Sequence, residues 1–378
     1  MDSILYSAML RFKRGEYIGV ASLSPEVMDR FLPHFIAPPI IERDPSRKRV
    51  ITPDEAIHLT ARRVAKYWPS RLSLLDVSQL LDPLGRMKAH EWMPELFTIA
   101  HRKGAYCSPV LSLTSNSSER LGCQKIFSIL RTPLAIRVPI GNTQDKDIHK
   151  QIYDIINIVG ISPKNALIVL DCNDTALDVI EDAVIVISEA VRVIQSLGEW
   201  RNIIVSATSY PTKNPAAKNS ECIIIRNEFV IWEKLADLGL VKEKPVIFGD
   251  HGADCSILNF GQKGGRGVIP HLRYATRKYW AIFRGGDWLN SEDNGTIRSV
   301  ASKVKNSEHY DGFDFSAADE FIDLCAAGVG KTGNATTWRQ INTNRHITKI
   351  VFDLMDMRGE RLKRLKRAKR YVQQNLFA

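Results

Sequence analysis

Apolar runs rich in Ile, Val and Leu recur along the chain, and each leads into a helix-like stretch. They are SAMLRFK (7–13), LPHFIAPP (32–39), RLSLLDVS (71–78), AYCSPVLSLT (105–114), PLAIRVPI (133–140), NALIVLDCND (165–174), NIIVSATSYP (202–211) and PVIFGDHG (245–252). Between them, Ser24-Pro25 reads as an N-cap with proline at the first helical position. Thr52-Pro53-Asp54-Glu55 reads as a capping box that starts a helix over 53–66. Further helices are expected over 90–103 with a stop at Gly104, and over 118–130, 146–159, 175–197 and 227–238. Strands this continuously apolar are buried on both faces, which is the mark of a parallel sheet. Eight such units over about 250 residues predict an α/β fold, a closed (β/α)8 TIM-like barrel. An open doubly wound sheet is the alternative, though no G-x-G-x-x-G follows the first strand.

The alternation breaks after the eighth run. IPHLRYATRKYWAIFRGG predicts two β segments around a Thr276-Arg277-Lys278 turn, a β-hairpin insertion over about 268–286. A helix capped by Ser316-x-x-Asp319 follows, then a last helix from Asn334 or Ala335 to about Asp356. The expected organisation is a barrel body over 1–357 and a basic C-terminal extension over 358–378 that can continue the last helix, since Leu362, Leu365 and Val372 fall near helical spacing.

Charge sharpens that division. The chain has 378 residues and a net charge of +10, but RGERLKRLKRAKRYVQQNLFA alone holds eight basic residues and one acid, seven of the ten net charges. Arg361, Lys363, Arg364, Lys366, Arg367, Lys369 and Arg370 can neutralise nucleic-acid phosphates or dock on an acidic surface; a merely solvated run is the plainer reading. The six cysteines show no C-x-x-C pair, which suits buried thiols in a reducing cytoplasm and argues against structural zinc. The first residues have the wrong order for a secretory signal, and no apolar run is long enough for a membrane span.

In a (β/α)8 barrel, functional side chains stand at the carboxyl ends of the strands. Those candidates are Lys13, Asp76, Thr114, Arg137, Asp171, Thr208, Asp250 and His251. Asp76, Asp171 and Asp250 can hold Mg²⁺ or a similar hard cation, with His251 as acid or base. Each aspartate also fits as the cap or turn residue of the next helix. Lys13, Arg137, Arg273 and Arg284 can bind phosphate at the same mouth. Arg137 interrupts an apolar strand, where an unpaired charge is costly, so it calls for a polar barrel centre with an acidic partner.

The stretch GVGKTGNATTWRQINTNRHITK (328–349) begins like a phosphate loop. A true Walker A loop needs glycine where this chain has Cys325, and it follows a strand rather than the helical DEFIDLCAAG. A helix stop at Gly328 is the better reading. The following helix has Trp338, Arg339, Asn342, Arg345 and His346 within about two turns. That density predicts a rim contact to the mouth or a ligand, with Trp338, Arg339, Asn342 and His346 as ligand-binding candidates; a polar surface face is the plain alternative.

LRFKRGEY, LDVSQLLDP, FGDHG, HLRYATRKYWAIFRG and GNATTWRQINTNRHIT together resemble the beta family proteins, a group of phages, prophages and bacterial mobile or defence loci. The resemblance implies a phage–host conflict setting, with no assigned reaction. Its relatives often carry an acid in the second strand where this chain has Ile36. Two readings follow. One is an antiphage-defence component whose Arg-rich mouth binds a phosphorylated ligand, nucleic acid or a phage component, possessing partners from the same locus. The other is a metal-dependent phosphoesterase or nuclease using the strand-end aspartates.

Overall fold

The computed structural model describes residues 4–40, 51–173, 175–241, 246–258, 260, 269–286, 295–329 and 331–360. Eight strands form a closed, all-parallel barrel: β1 (Tyr6–Arg11), β2 (Phe31–Ile36), β3 (Leu72–Asp76), β4 (Tyr106–Ser112), β5 (Leu134–Pro139), β6 (Ala166–Asp171), β7 (Asn202–Ser206) and β9 (Val246–Asp250). β9 closes on β1 through Tyr6–Phe248, Ser7–Gly249 and Ala8–Asp250. Closure pairs every strand on both sides and leaves the barrel no edge.

Side chains alternate across each strand. Met9, Leu32, Leu74, Val110, Leu167, Val169, Ile204 and Ile247 pack together inside the barrel. Their neighbours Tyr6, Leu10, Phe35, Leu75, Leu170 and Phe248 face outward under the helices. This parity decides which strand-end residues reach the mouth.

The outer helices are α3 (Pro53–Tyr67), α5 (Ala89–Arg102), α6 (Ser117–Leu130), α7 (Ile148–Val159), α8 (Ile180–Leu197) and α9 (Asn227–Asp237), joined by the shorter α1 (Arg14–Ala21), α2 (Pro25–Met28) and α4 (Ser78–Leu84). The expected capping box is made: Glu55 N–H donates to Thr52 Oγ1 at 3.2 Å and Thr52 N–H to Glu55 Oε2 at 3.0 Å. α8 starts five residues later than the spacing suggests, because Asp171 and the residues after it turn the chain at the strand end.

The addition after the barrel is larger than a hairpin. β10 (His271–Ala275) and β11 (Tyr279–Arg284) pair as expected, but β11 also pairs antiparallel with β8 (Glu221–Ile225), giving a sheet ordered β10-β11-β8. β8 lies in a stretch that reads as a polar loop; a five-residue strand packed on one face alone gives too short a pattern to stand out. α10 (Gly295–Lys305) was likewise not foreseen. The sheet, α10, α11 (Ala317–Ala326) and α12 (Ala335–Met357) enclose a second core around Tyr274, Phe283, Val300, Phe321, Trp338 and Ile341. α12 stops at Met357, and Gly359 just beyond it turns left-handed (φ +70°). Residues 361–378, with all seven basic candidates of the tail, lie outside the described residues.

α12 takes the last place in the helical ring, against α1. Gly15 and Gly19 permit the contact. A Cβ on Gly15 would lie 2.7 Å from Arg339 Cβ, and one on Gly19 2.8 Å from the Gln340 carbonyl oxygen. Gly19→Val should therefore force the helices apart and cost about 1–3 kcal/mol. The checking measurement is urea unfolding: the midpoint should fall with an unchanged slope.

Candidate functional site: the barrel mouth

Strand parity sends Arg11, His34, Asp76, Arg137, Asp171, Ser206 and His251 inward at the carboxyl end of the barrel. Arg137 is the centre of one pole. It donates from Nε to Asp171 Oδ2 at 2.7 Å, and its Nη2 lies 2.5 Å from the same oxygen. Nη1 lies 3.9 Å from Asp76 Oδ2. His34 Nε2 stands 3.7 Å from that Asp76 oxygen. Asp76 and Asp171 also accept the Ser78 and Asn173 backbone N–H groups, so the helix-turn reading and the mouth reading are both met in the same side chains. Burial works against an ionised Asp76, but His34 and Arg137 more than offset it and hold the carboxyl below its usual range. His251 is driven the other way. Burial pushes it down to about 4 against the pull of Asp171 and Asp250, with Arg137 and His34 adding to the depression. It is therefore a neutral imidazole at pH 7.

A second pole lies where β1, β10, α12 and the loop after β9 meet. Three guanidinium groups converge on one carboxylate, Asp254. Arg339 Nη1 is 2.5 Å from Asp254 Oδ2 and Arg273 Nη1 is 3.1 Å from Oδ1, while Arg11 pairs with Oδ2. Glu16 is the other acid, 3.7 Å from Arg11 and 3.8 Å from Arg339. Among the described residues, three cations share two anions. Arg273 also lies over the Tyr210 ring at 4.4 Å and donates to the Ala253 carbonyl. Burial, then Arg339, pushes Arg273 down to about 10. His271 falls to about 4 through burial and the nearby Arg273, Arg339 and Arg284.

Several expected site residues do something else. Asp250 sits on the outward parity of β9, away from the mouth. It accepts from Tyr6 Oη at 2.5 Å, from His346 Nε2 at 2.7 Å and from the Gly252 N–H at 2.7 Å, with Arg226 Nη2 at 3.9 Å. Burial opposes its charge, yet His346, Arg226 and Tyr6 keep its carboxyl below the usual range. His346 is fully buried and stacks on Trp280 with ring centroids 4.6 Å apart, so it is no rim residue. Trp338 belongs to the second core, its Nε1 donating to the Thr332 carbonyl at 3.0 Å. Asn342 Oδ1 accepts the Arg273 N–H at 2.9 Å and so tethers β10 rather than a ligand. Arg345 is buried over the Tyr274 and Phe315 rings and pairs with Asp311. β1 ends at Arg11, so Lys13 is the residue before α1, its Nζ 5.3 Å from the Phe260 ring centre. Arg284 donates to the Ala216 carbonyl at 2.7 Å. Thr114 and Thr208 bond Ser112 and the Asp254 carbonyl.

The three aspartates therefore do not share one metal site. Arg137 occupies the space between Asp76 and Asp171, and Asp250 faces out. Among the described residues, the group close enough to share an ion is Asp54, His58 and Glu95, on outer helices. The chemistry missed from sequence is Arg11, Glu16, His34, Ser206, Asp254 and His271. Arg11 and His34 were findable by the argument that singled out Arg137, a polar residue inside an apolar strand.

A family model described as Beta protein matches residues 6–352. No curated protein matches the chain. No helix among the described residues is long and apolar enough to cross a membrane.

Two outcomes follow from these environments. Between pH 6.5 and about 4, the unfolded chain takes up protons that folded His251 and His271 refuse, so stability should fall as pH falls through that window. His251→Asn should flatten the slope there, read from unfolding midpoints across pH. Asp250→Ala leaves the buried Tyr6 hydroxyl and His346 Nε2 without their acceptor, although Arg226 keeps Glu228 at 3.2 Å, and should cost about 3–5 kcal/mol in chemical unfolding.

Proposed function

The chain belongs to the Beta protein family, and from the geometry of its barrel mouth we propose a binding module for a phosphorylated small ligand. The observation that supports this is the arginine pole. Arg11, Arg273 and Arg339 meet two carboxylates, Asp254 and Glu16, in a largely buried site. Excess cation in a low-dielectric site is costly until an anion joins it, and planar guanidinium forks suit phosphate oxygens. The Arg273 Nε carries no hydrogen-bond partner. Arg339 is 28% exposed at its side chain, which leaves a route from solvent. Sensing in a phage–host conflict system is part of the same reading and rests on the sequence resemblance. The metal-dependent phosphoesterase reading has less to stand on, since the carboxylates it needs are bound to Arg137 or turned away.

Inorganic phosphate and a nucleotide panel should raise the thermal unfolding midpoint of the full chain. Arg339→Gln should weaken binding about tenfold, on the order of the 1–2 kcal/mol of a lost charge-assisted hydrogen bond. No shift with any phosphate-bearing compound would remove the proposal. Nucleic acid enters through the basic segment alone. If it binds there, log affinity for DNA or RNA should fall steeply with log salt, and deleting 358–378 should flatten that slope.

A further inference from the structure

We infer that the ligand is a phosphorylated polyol, a sugar phosphate, whose hydroxyl groups enter the barrel below the arginine pole. The inference rests on the phosphate reading just given. The ground for it is a set of buried polar atoms with no hydrogen-bond partner. His251 Nε2, Ser206 Oγ and Ser108 Oγ are all in that state, on residues 4%, 1% and 0% exposed, and His34 Nε2, on a residue 1% exposed, makes no hydrogen bond and faces Asp76 Oδ2 only at 3.7 Å. All four side chains share the inward parity of their strands, alongside Leu32, Val110, Ile204 and Ile247 of the barrel interior. Asp171, Ser206, Gly249 and Ser7 follow one another in register, and His251 stands two residues above Gly249 on the same face. His34, Leu74 and Ser108 follow one another likewise. Each orphan polar atom costs about 1–3 kcal/mol when left unmatched, and polar interiors of native proteins are nearly always matched by protein, water or ligand.

Charge decides what kind of group completes them. Around Arg137 stand two carboxylates, Asp76 and Asp171, against one guanidinium, so a further anion is repelled from this pole. A cation is disfavoured by Arg137 itself. A neutral group that both donates and accepts suits a set made of two imidazole nitrogens and two hydroxyls, and a hydroxyl does both. The arginine pole begins three residues beyond His251, at Asp254, and Arg11 of β1 joins it from inside the same mouth. The polarity thus orients the ligand with its anion at Arg11, Arg273 and Arg339 and its hydroxyls toward His251, Ser206 and His34.

The test is calorimetric titration of the full-length chain with inorganic phosphate, ribose 5-phosphate, n-butyl phosphate and free ribose. Ribose 5-phosphate should bind at least tenfold more tightly than n-butyl phosphate. In Ser206→Ala and His251→Asn that ratio should collapse toward one, with unfolding midpoints confirming folded protein. Arg339→Gln should weaken ribose 5-phosphate and n-butyl phosphate alike and leave their ratio standing. Equal binding of the two phosphates by the wild type, or a ratio unmoved in both inner variants, overturns the sugar-phosphate inference and leaves the phosphate site intact. No binding of any phosphate overturns both.

Discussion

Helix α12 buries an unbroken row of polar side chains, and the rest of the molecule is assembled on them. Asn342 holds the β10 backbone through the Arg273 N–H. Asn344 accepts from the Ala318 N–H at the start of α11 and donates to the Gly19 carbonyl on α1. Arg345 reaches the Ala275 carbonyl and stacks on Tyr274. His346 holds Asp250 on β9. Four attachments within residues 342–346, little more than one helical turn, tie the barrel, the added sheet, α1 and α11 to one helix. A buried polar group costs free energy unless paired, so each contact is specific in direction as well as favourable. The same row would be intolerable if any one of those partners were displaced.

That attachment also builds the mouth. Arg273 belongs to β10 and Arg339 to α12, and neither is part of the eight-stranded barrel. They reach Asp254 because α12 fixes the added sheet against the end of β9. The close approach of α12 to α1, allowed by Gly15 and Gly19, brings Arg339 beside Glu16 and Arg11. The arginine pole is therefore a product of packing between the barrel and its addition. The Arg137 pole is intrinsic to the barrel, since all its members come from strands β2, β3, β5 and β6 and the end of β9. Placing one cation-rich pole and one carboxylate-rich pole in a single opening gives the site a direction that neither set would have alone.

Much of the fold was legible because the barrel's strands are buried on both faces. Continuous apolar runs such as NALIVLD and PLAIRVP survive any local uncertainty, and the caps at Ser24, Thr52 and Ser316 fall where the side chains make their bonds. β8 was not legible, since its pairing partner β11 lies more than fifty residues further along the chain and its pattern is five residues long. The site was legible in part. Arg137 with Asp171 followed from the cost of a charge in an apolar strand. The polar residues of α12 were read as a rim because a helix with so many polar positions ordinarily faces water. Their partners are distant backbone groups on β10, α11 and α1, and nothing local in NTNRH reports them. A Gly15-x-x-x-Gly19 spacing was the available hint that another helix comes close.

The adjacent residues Asp250 and His251 show why parity had to be settled before chemistry. The sequence places both at one strand end, Asp250 as a candidate cation ligand and His251 as a candidate acid or base. In an extended strand, neighbours point to opposite faces. Asp250 goes outward, where Tyr6, His346 and the Gly252 N–H take up its oxygens, and it joins α12 to the barrel. His251 goes inward, keeps Nε2 unpartnered and is uncharged at neutral pH. One peptide bond thus separates a group whose partners are all protein from a group whose partner is missing. The difference between them is the difference between a structural contact and a buried polar atom that no described protein group satisfies.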